Sequence, residues 1–199
     1  MAKDIRMRIT AFQALKMALF MPPIAAYLLL KTCLIRLLLG GWRPPSPKEG
    51  DPGQWDVICF SHVSWEHVWQ RNHHIMSRLA ERSKVMYINT TRLDSFVKHT
   101  LFHKLRFRRI GGNLYRYQLF VLPFEMLSPI FRKLNIFILE TRVLHRMKKH
   151  GFGPCILWFF FPTHHYLVGH FNERAVVYDI QDEYSHFLWA PRDTEEREK

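Results

Sequence analysis

Apolar positions along this chain fall into two kinds of pattern. Short apolar runs occur at Asp56 to Phe60, Lys84 to Asn89 and Pro154 to Phe161, and Leu114 to Leu122 and Ala175 to Ile180 read as further strands. Runs of four to eight apolar residues suit strands covered on both faces. Between them lie stretches of helical periodicity. Trp69 to Arg82 has helical periodicity: counting from Val68 just before it, Val68, Ile75, Met76 and Leu79 share one face, and Arg71, Arg78, Glu81 and Arg82 lie on the other. Ser128-Pro129 has the chemistry of a helix start, Lys148, Lys149 and His150 suit a helix end, and Gly151 is the stop. The spacing predicts a helix over this stretch to about Lys149. A parallel strand pair needs a crossover of such length, and these crossovers are right-handed. The alternation predicts an α/β fold: one domain with a doubly wound, mainly parallel sheet of about five strands.

The connections are less regular. Thr90 to Ile110 is basic and mixed, and Asp94 could cap a short helix through about residue 105. Gly111-Gly112-Asn113 is a turn signal, without the pattern of a phosphate-binding loop. Tyr166 to Phe171 can form a helical turn.

The first 43 residues form an apolar and basic helical segment. Met17 to Leu30 is an uncharged run of 14 residues, extended toward Leu39 around Lys31 and Arg36, and Pro22-Pro23 is expected to interrupt a straight helix. A basic region precedes an apolar one, as in a signal peptide, without a convincing cleavage site. Two readings stay open. The segment lies on an anionic membrane surface with its cations snorkelling, or it packs on the domain. Residues 44–54 are a Pro/Gly linker that lets the segment move, and the folded domain spans 55–199.

Charge and cysteine narrow the class. The chain of 199 residues carries a formal charge of +12, with 13 basic and 3 acidic residues in 91–150 against 4 and 8 in 151–199. The middle third reads as a basic surface, which points to lipid, nucleotide phosphates or nucleic acid. No nucleic-acid-binding signature accompanies it, so nucleic acid is not favoured. Cys33, Cys59 and Cys155 fit no disulfide framework, and a cytoplasmic setting follows. His62, His67 and His73 lack zinc spacing, and the adjacent His73 and His74 point apart; no metal or cofactor is expected.

Polar residues gather where the strands end. His62 follows the first strand, His164 and His165 the fourth, and Asp179, Asp182 and Glu183 the fifth. Ligands of open α/β sheets bind beyond the carboxyl ends of the strands. A histidine beside a carboxylate equips a site for proton transfer, so His62 and Asp182 are the catalytic candidates. Asp182 and Glu183 could equally cap a following helix. Trp65 and Trp69 must pack on something, either the domain or a ligand.

Two stretches then carry a resemblance. WDVICFSHVSWEHVWQRNHHIMSRLAER followed by KVMYIN, and CILWFFFP followed by RAVVYDIQDEYSHFLWAP, resemble the N-terminal half of GT-B glycosyltransferases of the large group-one class. They bracket Trp55 to Pro191. Asn72 departs from the pattern, which has Pro after Gln-Arg, and a Pro there would suit a first helical turn. The resemblance implies a Rossmann-like domain shaping the acceptor site for transfer from a nucleotide sugar, which is donor substrate and not cofactor. The acceptor is a glycan or lipid-linked compound in cell-surface polysaccharide synthesis. Carried over, the substrate-binding candidates are Trp65, Trp69, Gln70 and Arg71, with His164 and Glu183 nearby. Members have two such domains. The chain is therefore expected to be the acceptor half alone, inactive by itself, peripheral on the inner face of the cytoplasmic membrane. A non-catalytic membrane-associated binding module is the other expectation, and nucleic-acid binding through residues 92–149 a third.

Overall fold

The computed structural model describes residues 2–46, 55–92, 107–125 and 128–180, with side chains from Met21 onward and without that of Arg92. The expected cap at Asp94, most of the linker, and Asp182 and Glu183 lie outside the described residues. The elements are helix α1 (Ala2–Leu39), β1 (Asp56–Ser61), α2 (Arg71–Leu79), β2 (Val85–Arg92), β3 (Phe107–Gly111), β4 (Leu114–Val121), α3 (Pro129–His150), β5 (Cys155–Phe159), a 3-10 helix (Pro162–Leu167) and β6 (Ala175–Tyr178).

The six strands form one mixed, mostly parallel sheet in the order β3-β4-β2-β1-β5-β6. Strand β1 pairs in parallel with β2 on one side and β5 on the other. Strands β2 with β4, and β5 with β6, are also parallel, and only β3 runs against its neighbour β4. The chain thus winds outward from β1 in one direction and then, after α3, in the other. The apolar stretches become the five parallel strands; in β1, β2 and β4 residues of both parities are buried, while β6, at the sheet edge, is exposed or half-buried. In β1, Val57 and Cys59 join one core cluster while Ile58 and Phe60 join the other.

Helices cover each of these faces. Met76, with Ile75 and Leu79, brings α2 onto the Val57 side. Leu139, Val143, Leu144 and Met147 bring α3 onto the Ile58 side. Helix α3 follows the N-cap Ser128 with Pro129 and ends at Gly151, whose φ of +61 is the left-handed conformation glycine adopts freely.

Four expectations are corrected. Strand β3 was not anticipated in the basic stretch; it forms because the Gly112-Asn113 turn folds Phe107–Gly111 back onto β4 as a hairpin. The turn expected at Tyr166 to Phe171 forms earlier, as the 3-10 helix opened by Pro162. Helix α1 passes through Pro22 and Pro23 without a break. Its inner face, with Met21, Ile24, Ala25 and Leu28, packs against Phe131, Leu134 and Ile138 there, which outweighs the missing backbone donors. The basic middle third is also less available than its count suggests. Arg142 is buried against Leu28 and Thr32, Arg116 pairs with Glu66, and Arg146 lies on the rings of Phe107 and Tyr117.

The C-terminal half of α1, from Met21 on, lies alongside α3 and runs in the same direction. Thr32 and Leu28 meet Arg142, Arg36 meets Glu140, and Leu39 meets Lys148. Glu140, nearly buried, also takes Arg43 at 2.7 Å and His170 Nδ1 at 3.1 Å. Asn172 donates to the carbonyl of Pro44. The other face of α1 carries Tyr27, Leu30, Leu34, Leu37 and Leu38, all exposed. Met21–Leu39 is long and apolar enough to cross a membrane by length and composition, a property it shares with core helices and signal sequences.

Candidate functional site

The site is the carboxyl edge of the parallel strands, where β1, β2, β5 and β6 release their chains. Strand β1 ends in Ser61, and the loop to α2 folds down over the sheet. Asn72, in the first turn of α2, donates to Ser61 Oγ and to the Tyr87 hydroxyl, both at 2.9 Å. Tyr87 lies 2.7 Å from Ser61 Oγ and 2.8 Å from the Val63 carbonyl. Asn89 donates to the carbonyls of Ser61 and Val63 at 2.8 and 2.6 Å. Burial, followed by the neighbouring Cys59, pushes the Tyr87 hydroxyl far above its ordinary pKa, so it acts only as a neutral hydrogen-bonding group. Burial does the same to Cys59, with Asp179 adding to it. These thiols and phenols are structural, not reactive.

His73 holds the loop from the other side. Its Nδ1 accepts from the backbone N–H of Gln70 at 3.0 Å, so the proton sits on Nε2, which faces the Ser64 carbonyl at 3.3 Å. Trp65 fills the space beneath, its ring against Trp69, His73 and Tyr87 and only 9% exposed. Of the two tryptophans, Trp65 is thus part of the core under the loop and Trp69 presents an exposed ring.

At the start of α2, Arg71 reaches the end of β6 and pairs with Asp179 at 2.9 Å. Asp179 is buried while Arg71 is mostly exposed, so the guanidinium keeps donors free toward solvent. Gln70 is exposed beside it. His62 is exposed with its ring against Phe161.

His164, after β5, is drawn across to β2. Its Nε2 lies 2.9 Å from Thr90 Oγ1 and its Nδ1 lies 2.9 Å from the Tyr166 hydroxyl. Tyr166 donates on to Glu125 Oε2 at 3.1 Å, and Asn135 clamps that same oxygen at 2.8 Å. His165 turns away, with Nδ1 on the Pro162 carbonyl.

The structure therefore brings Gln70, Arg71 and His164 to one edge, with His62 and Trp69 at its rim and Trp65 below. It also places there residues the sequence reading passed over: Ser61, Asn72, Tyr87, Asn89, Thr90, Glu125 and Tyr166. Asn72 has a visible signal, because it stands where the glycosyltransferase pattern that the chain resembles has Pro, and it is fully buried at the centre of the loop network. Glu125 and Tyr166 had none, since only the fold unites them. No group of His, Cys, Asp and Glu able to hold a metal ion occurs among the described residues.

The edge can bind polar, neutral groups through amides and hydroxyls, and an anionic group through Arg71. No family model, curated protein or solved structure matches the chain.

Proposed function

We propose that this chain is the acceptor-side, Rossmann-like half of a GT-B glycosyltransferase, shaping the site to which a sugar from a nucleotide sugar is transferred. The observation that carries this proposal is the Arg71–Asp179 pair. Arg71 belongs to the Trp-Gln-Arg stretch and Asp179 to the late acidic turn, the two stretches on which the family resemblance rests. Their meeting at the carboxyl edge is the placement that a shared site requires. The reversal of strand order at β1 supports the finer description of a doubly wound, Rossmann-like sheet.

In this proposal Arg71, Gln70, Trp69 and His62 line the acceptor crevice and His164 orients the acceptor. Asp182 and Glu183 complete it, and His62 with Asp182 serves proton transfer. The donor diphosphate is held by a second domain of similar architecture, since positioning and charge stabilisation supply most of the rate in such transfers. No metal or cofactor is invoked. The exposed apolar face of α1 supports a peripheral position on the inner face of the cytoplasmic membrane, with a lipid-linked or glycan acceptor in cell-surface polysaccharide synthesis.

A released-nucleotide assay over a panel of nucleotide sugars tests the proposal, run on residues 1–199 and on any longer product of the same gene. The expected outcome is turnover by a longer two-domain product, weakened by Arg71→Ala, and none by residues 1–199 alone. Robust turnover by the 199-residue chain, or a longer product that transfers nothing, would sink it. A non-catalytic, membrane-associated binding module is the reading that would then remain.

A further inference from the structure

The hydrogen bonds of His164 with Thr90 and Tyr166 point to the ring nitrogen that carries its proton. Tyr166 has one hydroxyl hydrogen, and it goes to the Glu125 carboxylate, which can only accept. The Tyr166 oxygen must therefore accept from His164, which places the ring proton on Nδ1. Nε2 is left with its lone pair toward Thr90, whose hydroxyl donates to it at 2.9 Å. Thr90 Oγ1 then has its own lone pairs available as an acceptor.

This chain of contacts is held in place with some strain. Phe124 adopts a φ of +67, a left-handed conformation that a non-glycine residue enters at a cost of about 1–3 kcal/mol and that tends to mark functional sites. That turn delivers Glu125. Asn135, fully buried, grips both the N–H and the carbonyl of Leu122 as well as Glu125. His164 itself is 6% exposed and rests on the Phe60 ring. Because β2 and β5 flank β1, the Thr90–His164 contact bridges the carboxyl end of β1, where the strand order reverses. That is the place where ligands of open α/β sheets bind.

A buried acceptor lies one residue before Thr90 on the same strand end. Asn89 is 4% exposed, gives both amide hydrogens to backbone carbonyls, and its Oδ1 has no partner among the described residues. A buried acceptor left unpaired costs about 1–3 kcal/mol, which a hydroxyl donor would recover.

We infer that Glu125 and Tyr166 are positioning residues that lock His164 in the Nδ1–H tautomer, and that the Thr90 hydroxyl, polarised by His164 Nε2, takes a hydroxyl group of a carbohydrate. The carbohydrate hydroxyl donates to Thr90 Oγ1, which donates to Nε2; no bond is broken and no net proton moves. The carbohydrate class rests on the proposed function, whereas the tautomer does not.

Long-range proton–nitrogen correlation spectra of the 15N-histidine-labelled 199-residue chain test both parts, with His164→Gln assigning the signals. The expected wild-type spectrum at neutral pH shows His164 protonated at Nδ1 and bare at Nε2. Tyr166→Phe is expected to move the proton toward Nε2, with far-UV dichroism unchanged. Titration with methyl β-glucopyranoside and methyl α-mannopyranoside is expected to shift the Nε2 signal saturably. Thr90→Val, which keeps the side-chain shape, is expected to weaken that response about fivefold to tenfold, the loss of one hydrogen bond. An Nε2–H tautomer in the wild type overturns the relay. The right tautomer with no glycoside response in wild type, or an unaltered response in Thr90→Val, overturns the hydroxyl site. Should Tyr166→Phe fail to fold, the wild-type tautomer and the Thr90→Val comparison still decide. A glycoside response with no transferase activity in any longer product would defeat the proposed function alone.

Discussion

Arg71 and Asp179 stand on opposite sides of β1, one at the start of α2 and the other at the end of β6, and join at 2.9 Å. The pair is asymmetric: a buried carboxylate is neutralised by a guanidinium that remains mostly in solvent. Removing Arg71 strands a buried charge, whereas removing Asp179 merely frees a solvated one. Arg71→Ala is therefore expected to lower the unfolding free energy by about 1–3 kcal/mol, more than Asp179→Asn does. Urea denaturation of both variants checks this order, and equal losses would contradict it.

Asn72 stands where the pattern that the chain resembles has Pro, and its side chain makes contacts a proline cannot. It donates to Ser61 and to Tyr87. Its backbone N–H lies in the first helical turn, where proline is tolerated. Asn72→Pro is thus expected to cost about 1–3 kcal/mol through the side chain alone, by leaving buried hydroxyls short of a donor. Thermal unfolding of Asn72→Pro beside Asn72→Ala decides: comparable losses are expected, and a much larger loss for Pro would place the cause in the backbone.

Acid should weaken the fold through the end of α3. Burial, followed by the charges of Arg146 and Lys149, lowers the pKa values of His145 and His150 below 6.5. A histidine with a depressed folded pKa is neutral in the fold while the unfolded chain takes up a proton. The unfolded state then binds more protons, so the stability these residues contribute is present above pH about 6.5 and lost as pH falls through their folded pKa values. His150 packs at a tilt against Phe107 and Tyr115, which holds it in that environment. Stability measured between pH 7.5 and 5 should fall less steeply in His150→Gln than in wild type.

Glu140 ties α1 to the domain through Arg36, Arg43 and His170. Since the arginines are partly exposed, Glu140→Ala is expected to cost only about 1 kcal/mol globally. Its local effect should be larger. Amide exchange over residues 28–39 is expected to quicken more than exchange in β1 or β2, and uniform acceleration would mean that α1 does not open separately.

The outer face of α1 is expected to bind vesicles containing anionic lipid. Leu34→Glu with Leu37→Glu changes exposed positions, Leu37 being 78% exposed, and should leave folding intact while abolishing co-sedimentation. Retained binding by a folded double variant would count against a membrane role for this face.

Much of the fold was legible because parallel strands buried on both faces write themselves as unbroken apolar runs. Asp56 to Phe60 and Pro154 to Phe161 needed no tertiary knowledge. Strand β3 escaped because its arginines point to solvent at the sheet margin, and half-exposed strands lack that signature. Of the site, Arg71 was legible from its stretch and its place before a helix. Glu125 was not, since the sequence holds no trace of the fold that sets it beside Tyr166. The docking of α1 was divided between two readings, and its two apolar faces explain why: one packs on α3 and the other is exposed.

The side-by-side course of α1 and α3 fixes a direction in space. The stretch of α1 from Met21 to Leu29 lies beside Leu122 and Phe120, toward the carboxyl edge of the sheet, and Leu39 lies near its amino edge. The leucine-bearing outer face therefore runs along the strands. A flat surface laid against it would stand beside the crevice like a wall, not across its mouth. A substrate anchored in that surface could slide in from the flank by two-dimensional diffusion, while a water-borne one entered from the open end.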